Sequence, residues 1–405
     1  MLMFTRIDLP DIRAVINSWL PAEDIEPSAL EQIGNTARHP EVASTVAVMP
    51  DCHVGYGVTI GTVFPTVNAV LPNAVGVDIG CGICAVNTGI HLDREQMGKS
   101  FWRSWAGQVG RDVPTGFRWH TSPRDLGELD RPLRATELQP LIRERAAGQL
   151  GTLGGGNHFL EAQVDEGDRI WLMVHSGSRH TGLRIANHYN ERAIRSSEQR
   201  ALAAGKDLAS LPLDDQAGQD YIHDMTWATD FALASREQML DRMLSALQRQ
   251  VERIDMTLLD VDPEPMINIH HNFAQLEVHG GDEVMVHRKG ATSAYDGQLG
   301  IIPGSMGTSS YIVRGMGNED SLKSCSHGAG RRMGRKAAKK TISEAEFARS
   351  LEGTWSKPSM GYVDEAPAAY KDVETVIGRQ ADLVEIVHTL KPIITVKGDS
   401  KARDD

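Results

Sequence analysis

The stretch Ser324-Cys325-Ser326-His327-Gly328-Ala329-Gly330-Arg331-Arg332 holds one imidazole, with glycine at the next position and again two residues later. Glycine there lets backbone approach a ligand that a side chain would keep away. Six of the ten residues from Arg331 to Lys340 are basic. An imidazole beside such a run suits a phosphorylated substrate, with the histidine as nucleophile or as acid/base. A histidine next to glycine is by itself more often a turn residue, so its meaning depends on what the remaining chain supplies.

Side chains of metal-ligand type close several apolar runs: Asp78, Cys81, His158, His175 and the pair His270-His271. Asp78 and Cys81 stand three apart with glycines at 80 and 82, a spacing at which a tight turn could aim both at one point. A thiolate, a carboxylate and imidazoles together suit zinc, manganese, iron or cobalt. Cys81-Gly82-Ile83-Cys84 also has the spacing of a redox pair or of half a structural zinc site. No thioredoxin-like pattern surrounds it, however, and no second CxxC exists. The glycine-rich segments 151–157 and 303–307 could offer backbone N–H groups to phosphates. Neither carries the Lys-Ser/Thr of a P-loop.

The elements that must position these groups come from 405 residues, 40% of them hydrophobic, enough for a substantial core. A net charge of −12 argues against a surface coated for nonspecific nucleic-acid binding, while leaving room for a local basic groove. No run reaches the length of a membrane span, no signal peptide is recognisable, and the cysteines at 52, 81, 84 and 325 are too few for a disulfide framework. A soluble, cytoplasmic setting is expected. Residues 1–45 read as mixed helix and turn, 46–89 as short strands, and 91–150 as helical at both ends. Strands are expected again over 150–158 and 170–175 and from 267 to 314. Residues 183–254 read as a helical excursion, with Met239, Leu240, Met243, Leu244, Leu247 and Val251 on one packing face. An amphipathic stretch at Leu383–Leu390 and a last strand at Ile393–Lys397 close the pattern. Gly55–Gly61 is a near miss to a dinucleotide fingerprint, with one residue too many and no helix after it. The expected architecture is α+β, one large domain over 1–405 with central β-sheets, surrounding helices and the excursion.

Eight motifs then occur in order: Met49-Pro50-Asp51-Cys52-His53-Val54-Gly55-Tyr56-Gly57, Gly76-Val77-Asp78-Ile79-Gly80-Cys81-Gly82, Gly156-Asn157-His158-Phe159-Leu160-Glu161, His175-Ser176-Gly177-Ser178-Arg179, His270-His271-Asn272, His287-Arg288-Lys289-Gly290-Ala291, Pro303-Gly304-Ser305-Met306-Gly307 and His327-Gly328-Ala329-Gly330-Arg331. In these the chain resembles the RtcB family, GTP- and manganese-dependent RNA-splicing ligases, over nearly its whole length from Met49 onward. The resemblance implies that family's own α+β fold. It also implies joining of RNA 3′-phosphate or 2′,3′-cyclic phosphate ends to 5′-hydroxyl ends. Two Mn²⁺ ions would be held by Asp78, Cys81, His158, His175 and His271, with Cys81 bridging. His327 would become guanylylated. The guanosine nucleotide would lie among Asn157, His158, Phe159, Leu160, Glu161, His271, Asn272, Pro303, Gly304, Ser305, Met306, Ser310, Gly328, Ala329, Gly330 and Lys397.

Further consequences of the resemblance concern partners and departures. Some family members use an activating protein partner. His180 stands where the family has glycine, which bears on the local loop, and Cys52 replaces an aliphatic residue. The nearest approach to a lysine-nucleophile ligase motif, Lys397-Gly398-Asp399-Ser400, has serine in place of glycine. The basic residues 332, 335, 336 and 339 would share one face if helical and could grip RNA phosphates; the alternative is a solvated face. Two other functions fit parts of the pattern: a metal-dependent phosphoesterase acting on RNA ends, and a non-ligating RNA-end-binding paralogue.

Overall fold

In the Thr45–His53 strand, alternate residues cannot be told apart by polarity, because the strand is buried along nearly its whole length. Burial on both faces is the mark of a central strand. The computed structural model, which describes residues 3–200, 205–254 and 265–398, places it inside a six-stranded sheet. The order there is Thr5–Ile7, Val15–Ser18, Thr45–His53, Ile60–Thr66, Asp282–Lys289, Asn272–His279. A seven-stranded sheet runs Ile267–His270, Gly82–His91, Arg169–Ser176, Phe159–Val164, Val384–Lys397, Ser310–Gly315, Leu299–Ile302. A two-stranded ribbon pairs Ala291–Ser293 with Ser324–Ser326 and so places the segment that begins at His327. Helices and sheets are thus mixed, as expected.

Three local expectations differ from what is observed. The first 45 residues contribute two short strands as well as the Pro27–Arg38 helix. Residues 150–158 form turns, and the strand begins only at Phe159. The pattern at Leu383–Leu390 belongs to a single strand, Val384–Lys397, which continues past a shift of register at Pro392/Ile394. Proline has no N–H to give a ladder, so the irregularity falls where the ladder must skip. The rejected dinucleotide reading holds, since a strand from Ile60 and no helix follows.

The expected excursion consists of two helices, Arg179–Gln199 and Gln216–Glu252. Met239, Leu240, Met243, Leu247 and Val251 pack in a core cluster with Trp102, Trp105 and strand residues Leu160, Leu172 and Val174. Among the described residues no helix is long and apolar enough to cross a membrane.

The longer helix does more than pack. Its Arg236 is fully buried. Nη1 donates to the carbonyls of Gly80 and Ser176, both at 2.9 Å, and Nε donates to Asn268 Oδ1 at 2.7 Å. Burial pulls its pKa down to about 10, so it stays charged at neutral pH. One guanidinium therefore ties the residue before Cys81 to the residue after His175. Arg236→Met should cost roughly 2–4 kcal/mol by leaving buried carbonyls short of a donor. The check is a thermal scan showing a Tm several degrees lower.

Candidate active site

At the junction of the two sheets, four imidazole rings form a continuous series. Ring centroids are 5.4 Å apart from His158 to His175, 5.2 Å from His175 to His271, and 4.8 Å from His271 to His327. Each ring sits at or beside a strand end, where backbone direction changes and a side chain can leave the sheet.

Cys81 lies against this series, with Sγ 3.3 Å from His175 Nε2 and 3.6 Å from His158 Nε2. The ligand atoms of Cys81, His158 and His175 all lie within 4.8 Å of one another, and all three residues are buried. The Asp78 carboxylate is 3.1 Å from His158 Nε2. His158 Nδ1 is turned to the Leu153 carbonyl at 2.9 Å, which leaves Nε2 facing the thiol. Gly177 makes the crowding possible: a Cβ there would stand 2.1 Å from Asp78 Oδ1.

The electrostatics suit a cation. Burial, and then the neighbouring imidazoles, hold His175 and His271 well below the ordinary histidine pKa, so both are neutral with lone pairs available. Burial alone would raise the Asp78 carboxyl, but its hydrogen bond to His158 and the nearby charges hold it below its usual range. His271 Nδ1 is buried with no hydrogen-bond partner among the described residues. A buried nitrogen without a partner, beside a thiol, two further imidazoles and a carboxylate, fits a transition-metal site.

At the end of the series, His327 Nδ1 is 2.6 Å from Asp51 Oδ2, and the His327 backbone N–H donates to the same oxygen at 3.2 Å. The carboxylate keeps the proton on Nδ1 and leaves Nε2 as the free lone pair. Gly330 adopts φ +72°, and a Cβ there would lie 2.1 Å from the Asp51 carbonyl oxygen. The glycines after His327 thus let this turn close over the strand that carries Asp51.

His327 opens on a cavity of roughly 450 Å³. Of the residues expected around a nucleotide, Asn157, Phe159, Glu161, Pro303, Gly304, Ser305, Met306, Ser310, Gly328, Ala329, Gly330 and Lys397 line it. Leu160 does not. Its side chain is fully buried in the core on the other face of the strand, because Phe159 and Glu161 take the cavity side by alternation. Asn272 braces the turn instead, donating to the Asp78 carbonyl at 3.1 Å and accepting from the Gly290 N–H at 2.9 Å. His270 points away toward Arg236 and the Gly80 carbonyl, and Cys84 packs in the hydrophobic core, where burial pushes its thiol up to about 12.

Two residues without an assigned role matter here. Asp51 was visible as one carboxylate inside an otherwise apolar strand, a placement that demands a partner. Glu365 gave no sequence signal. It accepts from Lys397 Nζ at 2.9 Å and from Arg335 at 2.6 Å, with Arg331 at 3.3 Å. Burial would raise this carboxyl, but Lys397, Arg335 and Arg331 hold it down at about 2. The basic run is accordingly split. Its helix spans only Arg335–Thr341, so Arg332 lies outside the expected face. Arg331, Arg335 and Lys339 turn to Asp364 and Glu365, while Arg332, Lys336 and Lys340 remain exposed. Cys52 packs in a core cluster, in keeping with a packing substitution. His180 stands in the first turn of its helix, after Arg179 at φ 58°. Lys397 and Gly398 are described, whereas Asp399 and Ser400 lie outside the described residues.

The family model described as "tRNA-splicing ligase RtcB" matches residues 32–138 and 125–398. The chain belongs to the RtcB family. It is 39% identical over 402 residues to the Escherichia coli K12 protein named RNA-splicing ligase RtcB, covering 95% of this chain and 98% of that relative. It is 31% identical over 444 residues to the Thermococcus kodakarensis protein named tRNA-splicing ligase RtcB, covering 91% of each. In this RtcB-family chain, Glu365→Gln would remove the carboxylate that Lys397, Arg335 and Arg331 share, leaving only Arg335 with a second acid, Asp364, among the described residues. Breaking such a buried pair costs about 3–5 kcal/mol. The carboxyl is depressed in the folded state, so its contribution is present above the ordinary carboxylate range and lost as pH falls toward 2. Thermal scans should show a large Tm gap between the native protein and the variant at pH 7, narrowing as pH falls below 4.5 and closing at about 2.

Proposed function

We propose that this RtcB-family chain acts as a single catalytic domain and a GTP-dependent RNA ligase. It would join 3′-phosphate or 2′,3′-cyclic phosphate ends to 5′-hydroxyl ends through a guanylyl-His327 intermediate. The observation that carries the reading is the placement of His327. Its Nδ1 is held by Asp51, and its ring lies against His271 at the mouth of a nucleotide-sized cavity.

Asp78, Cys81, His158, His175 and His271 would hold two divalent metal ions, with Cys81 between the His158–Asp78 side and the His175–His271 side. A Mn²⁺ pair there supplies charge neutralisation on phosphate oxygens and Lewis acidity. The chain's own groups do the rest. His327 Nε2 attacks the α-phosphorus of GTP; an N–P bond forms, the α–β bridging P–O bond breaks and pyrophosphate leaves. Asp51 offsets the positive charge that the ring then carries, through the proton it shares with Nδ1. An RNA 3′-phosphate oxygen attacks the same phosphorus, releasing His327 and leaving an RNA-pp-G end. The 5′-hydroxyl displaces GMP from that end. The order follows from leaving groups: a phosphate monoester is a poor electrophile until GMP is attached to it.

Guanine selection falls to Glu161. Its carboxyl is buried in the cavity wall, hydrogen-bonded by Gln163 and Thr395, and burial pushes its pKa up to about 7. A carboxylate accepts from the N1–H and exocyclic amine of guanine, whereas adenine presents an acceptor at N1.

The deciding experiment mixes purified protein with Mn²⁺ and α-labelled GTP, looks for a labelled band, and maps the label. GMP on His327, together with joining of 3′-phosphate and 5′-hydroxyl RNA ends, is the expected result. Label on Lys397, or joining without GTP, would sink the reading. His327→Ala should lose the adduct while elemental analysis still finds its metals. GTP affinity should rise as pH increases through about 7 and Glu161 ionises. Glu161→Gln should flatten that dependence and lower the preference for GTP over ATP at least about tenfold, as equilibrium binding at several pH values would show.

A further inference from the structure

The loop between the Lys99–Asp112 helix and the short helices that begin at 127 puts two aromatic side chains into water. Phe117 is 63% exposed and Trp119 is 39% exposed, with Arg118 between them. Their exposure is not that of an untethered loop. The Leu153 N–H donates to the Pro114 carbonyl at 2.9 Å, and Gly116 N–H donates to Gly154 O at 2.7 Å. His120 N–H donates to Gly148 O at 2.9 Å, and Arg124 N–H to Ala147 O at 2.8 Å. Backbone bonds thus fix the loop along 147–154, and the rings stand out from a braced support.

The surroundings are cationic. The Arg145 guanidinium lies 5.6 Å from the Trp119 ring centre, and Arg124 is 3.4 Å from His120 Nδ1. Burial, then Arg124 and Arg242, lower the His120 pKa. Of the nearby acids, Asp112 pairs with Arg249 and Gln108, while Asp125 accepts from the Gly127 N–H and stays exposed, as do Glu128 and Glu144. On a chain of net charge −12, Arg118, Arg124 and Arg145 gathered at the two rings make a local place for an anionic partner.

The patch is also continuous with the candidate site. Leu153, which bonds Pro114, gives its own carbonyl to His158. A Cβ on Gly154, which bonds Gly116, would meet the Arg179 guanidinium at 1.8 Å. Gly398 packs against the Gly154 carbonyl, one residue after the cavity-lining Lys397. One strut, 153–154, carries the aromatic loop on one side and the site on the other.

We infer that Phe117 and Trp119 are a stacking platform for unpaired bases of the RNA flanking the join, with Arg118, Arg124 and Arg145 holding the adjoining phosphates. The inference rests on the RNA-ligase reading for its substrate. Aromatic faces accept any base, which suits an enzyme that must take ends of varied sequence. Arginine between the rings supplies the backbone contacts that steer without reading sequence.

The test measures anisotropy of a labelled single-stranded RNA bearing a 3′-phosphate, with Phe117→Ala/Trp119→Ala against the native protein. Kd should rise at least about tenfold, the order expected for a lost stack. KM for RNA in joining should rise with it, while the yield of guanylyl-His327 and the Tm stay unchanged. Phe117→Tyr/Trp119→Phe should restore binding. Replacing the terminal nucleotides of the RNA by abasic ones should weaken the native complex by a similar factor and leave the double variant unaffected. An unchanged Kd in the double variant, or an abasic penalty equal in both proteins, overturns the platform and leaves the patch to a protein partner. The anisotropy reading does not need joining, so a native protein that binds RNA through these rings but takes no GMP from GTP would sink the ligase reading alone.

Discussion

A single buried guanidinium holds the candidate site together. Arg236 reaches from the middle of a long helix to the carbonyls of Gly80 and Ser176. These two carbonyls flank the turns that present Cys81 and follow His175, on strands Gly82–His91 and Arg169–Ser176 that pair side by side. A buried charge is costly unless each of its donors is used. Here Nε, Nη1 and Nη2 each meet an acceptor, including His270 Nδ1 at 3.2 Å. The helix is thereby committed to one position relative to the strand ends, and the sulfur and imidazoles inherit that position.

The cavity wall solves the opposite problem, three cations gathered at one rim. Glu365 gathers Lys397, Arg335 and Arg331, while Tyr370 lies with its ring 4.9 Å from the Arg331 guanidinium and donates its hydroxyl to Glu365 at 2.8 Å. A fixed acid makes the cations mutually tolerable and holds their side chains at the rim before any anion arrives. Preorganised charge of this kind costs little reorganisation at the moment of reaction. The motif His287-Arg288-Lys289 leads to Gly290, where a Cβ would lie 3.2 Å from His327 Cε1, and its three side chains are tied to neighbouring segments. His287 accepts the Leu71 N–H at 2.9 Å, Arg288 pairs with buried Glu277, and Lys289 donates to the Asn73 carbonyl at 2.8 Å.

Where side chains act through their own type and spacing, the sequence was legible. Asp78, Cys81, His158 and His175 could be picked out because each closes an apolar run beside glycine, and the fold brings them together. The helical excursion was legible through its 3.6-residue period. Groups defined by tertiary partners were not. Nothing local marks Glu365 as the counter-charge of three cations from distant segments, and a basic run reads alike whether it faces water or Asp364. Leu160 shows a related limit: a motif names neighbours in sequence, but strand alternation sends them to opposite faces. The Leu383–Leu390 stretch failed for a different reason. Its mixed polarity belongs to a strand that changes environment along its length, packed at Leu390 and exposed at Ile386, which no single period describes.

That strand has a bearing on how the protein is made. Val384–Lys397 joins Ser310–Gly315 on one edge to Phe159–Val164 on the other, and so links the Pro303–Met306 wall of the cavity to the wall that carries Glu161. A ribosome delivers residues in order, and this strand emerges after every other element described here. Until it does, the seven-stranded sheet is two separate pieces, and the cavity lacks both Lys397 and the strand between its walls. Cys81 and the four imidazoles precede it in the chain, so they emerge before the cavity has both its walls. Translation itself therefore imposes an order in which Cys81 and the imidazole series emerge first and the cavity closes last.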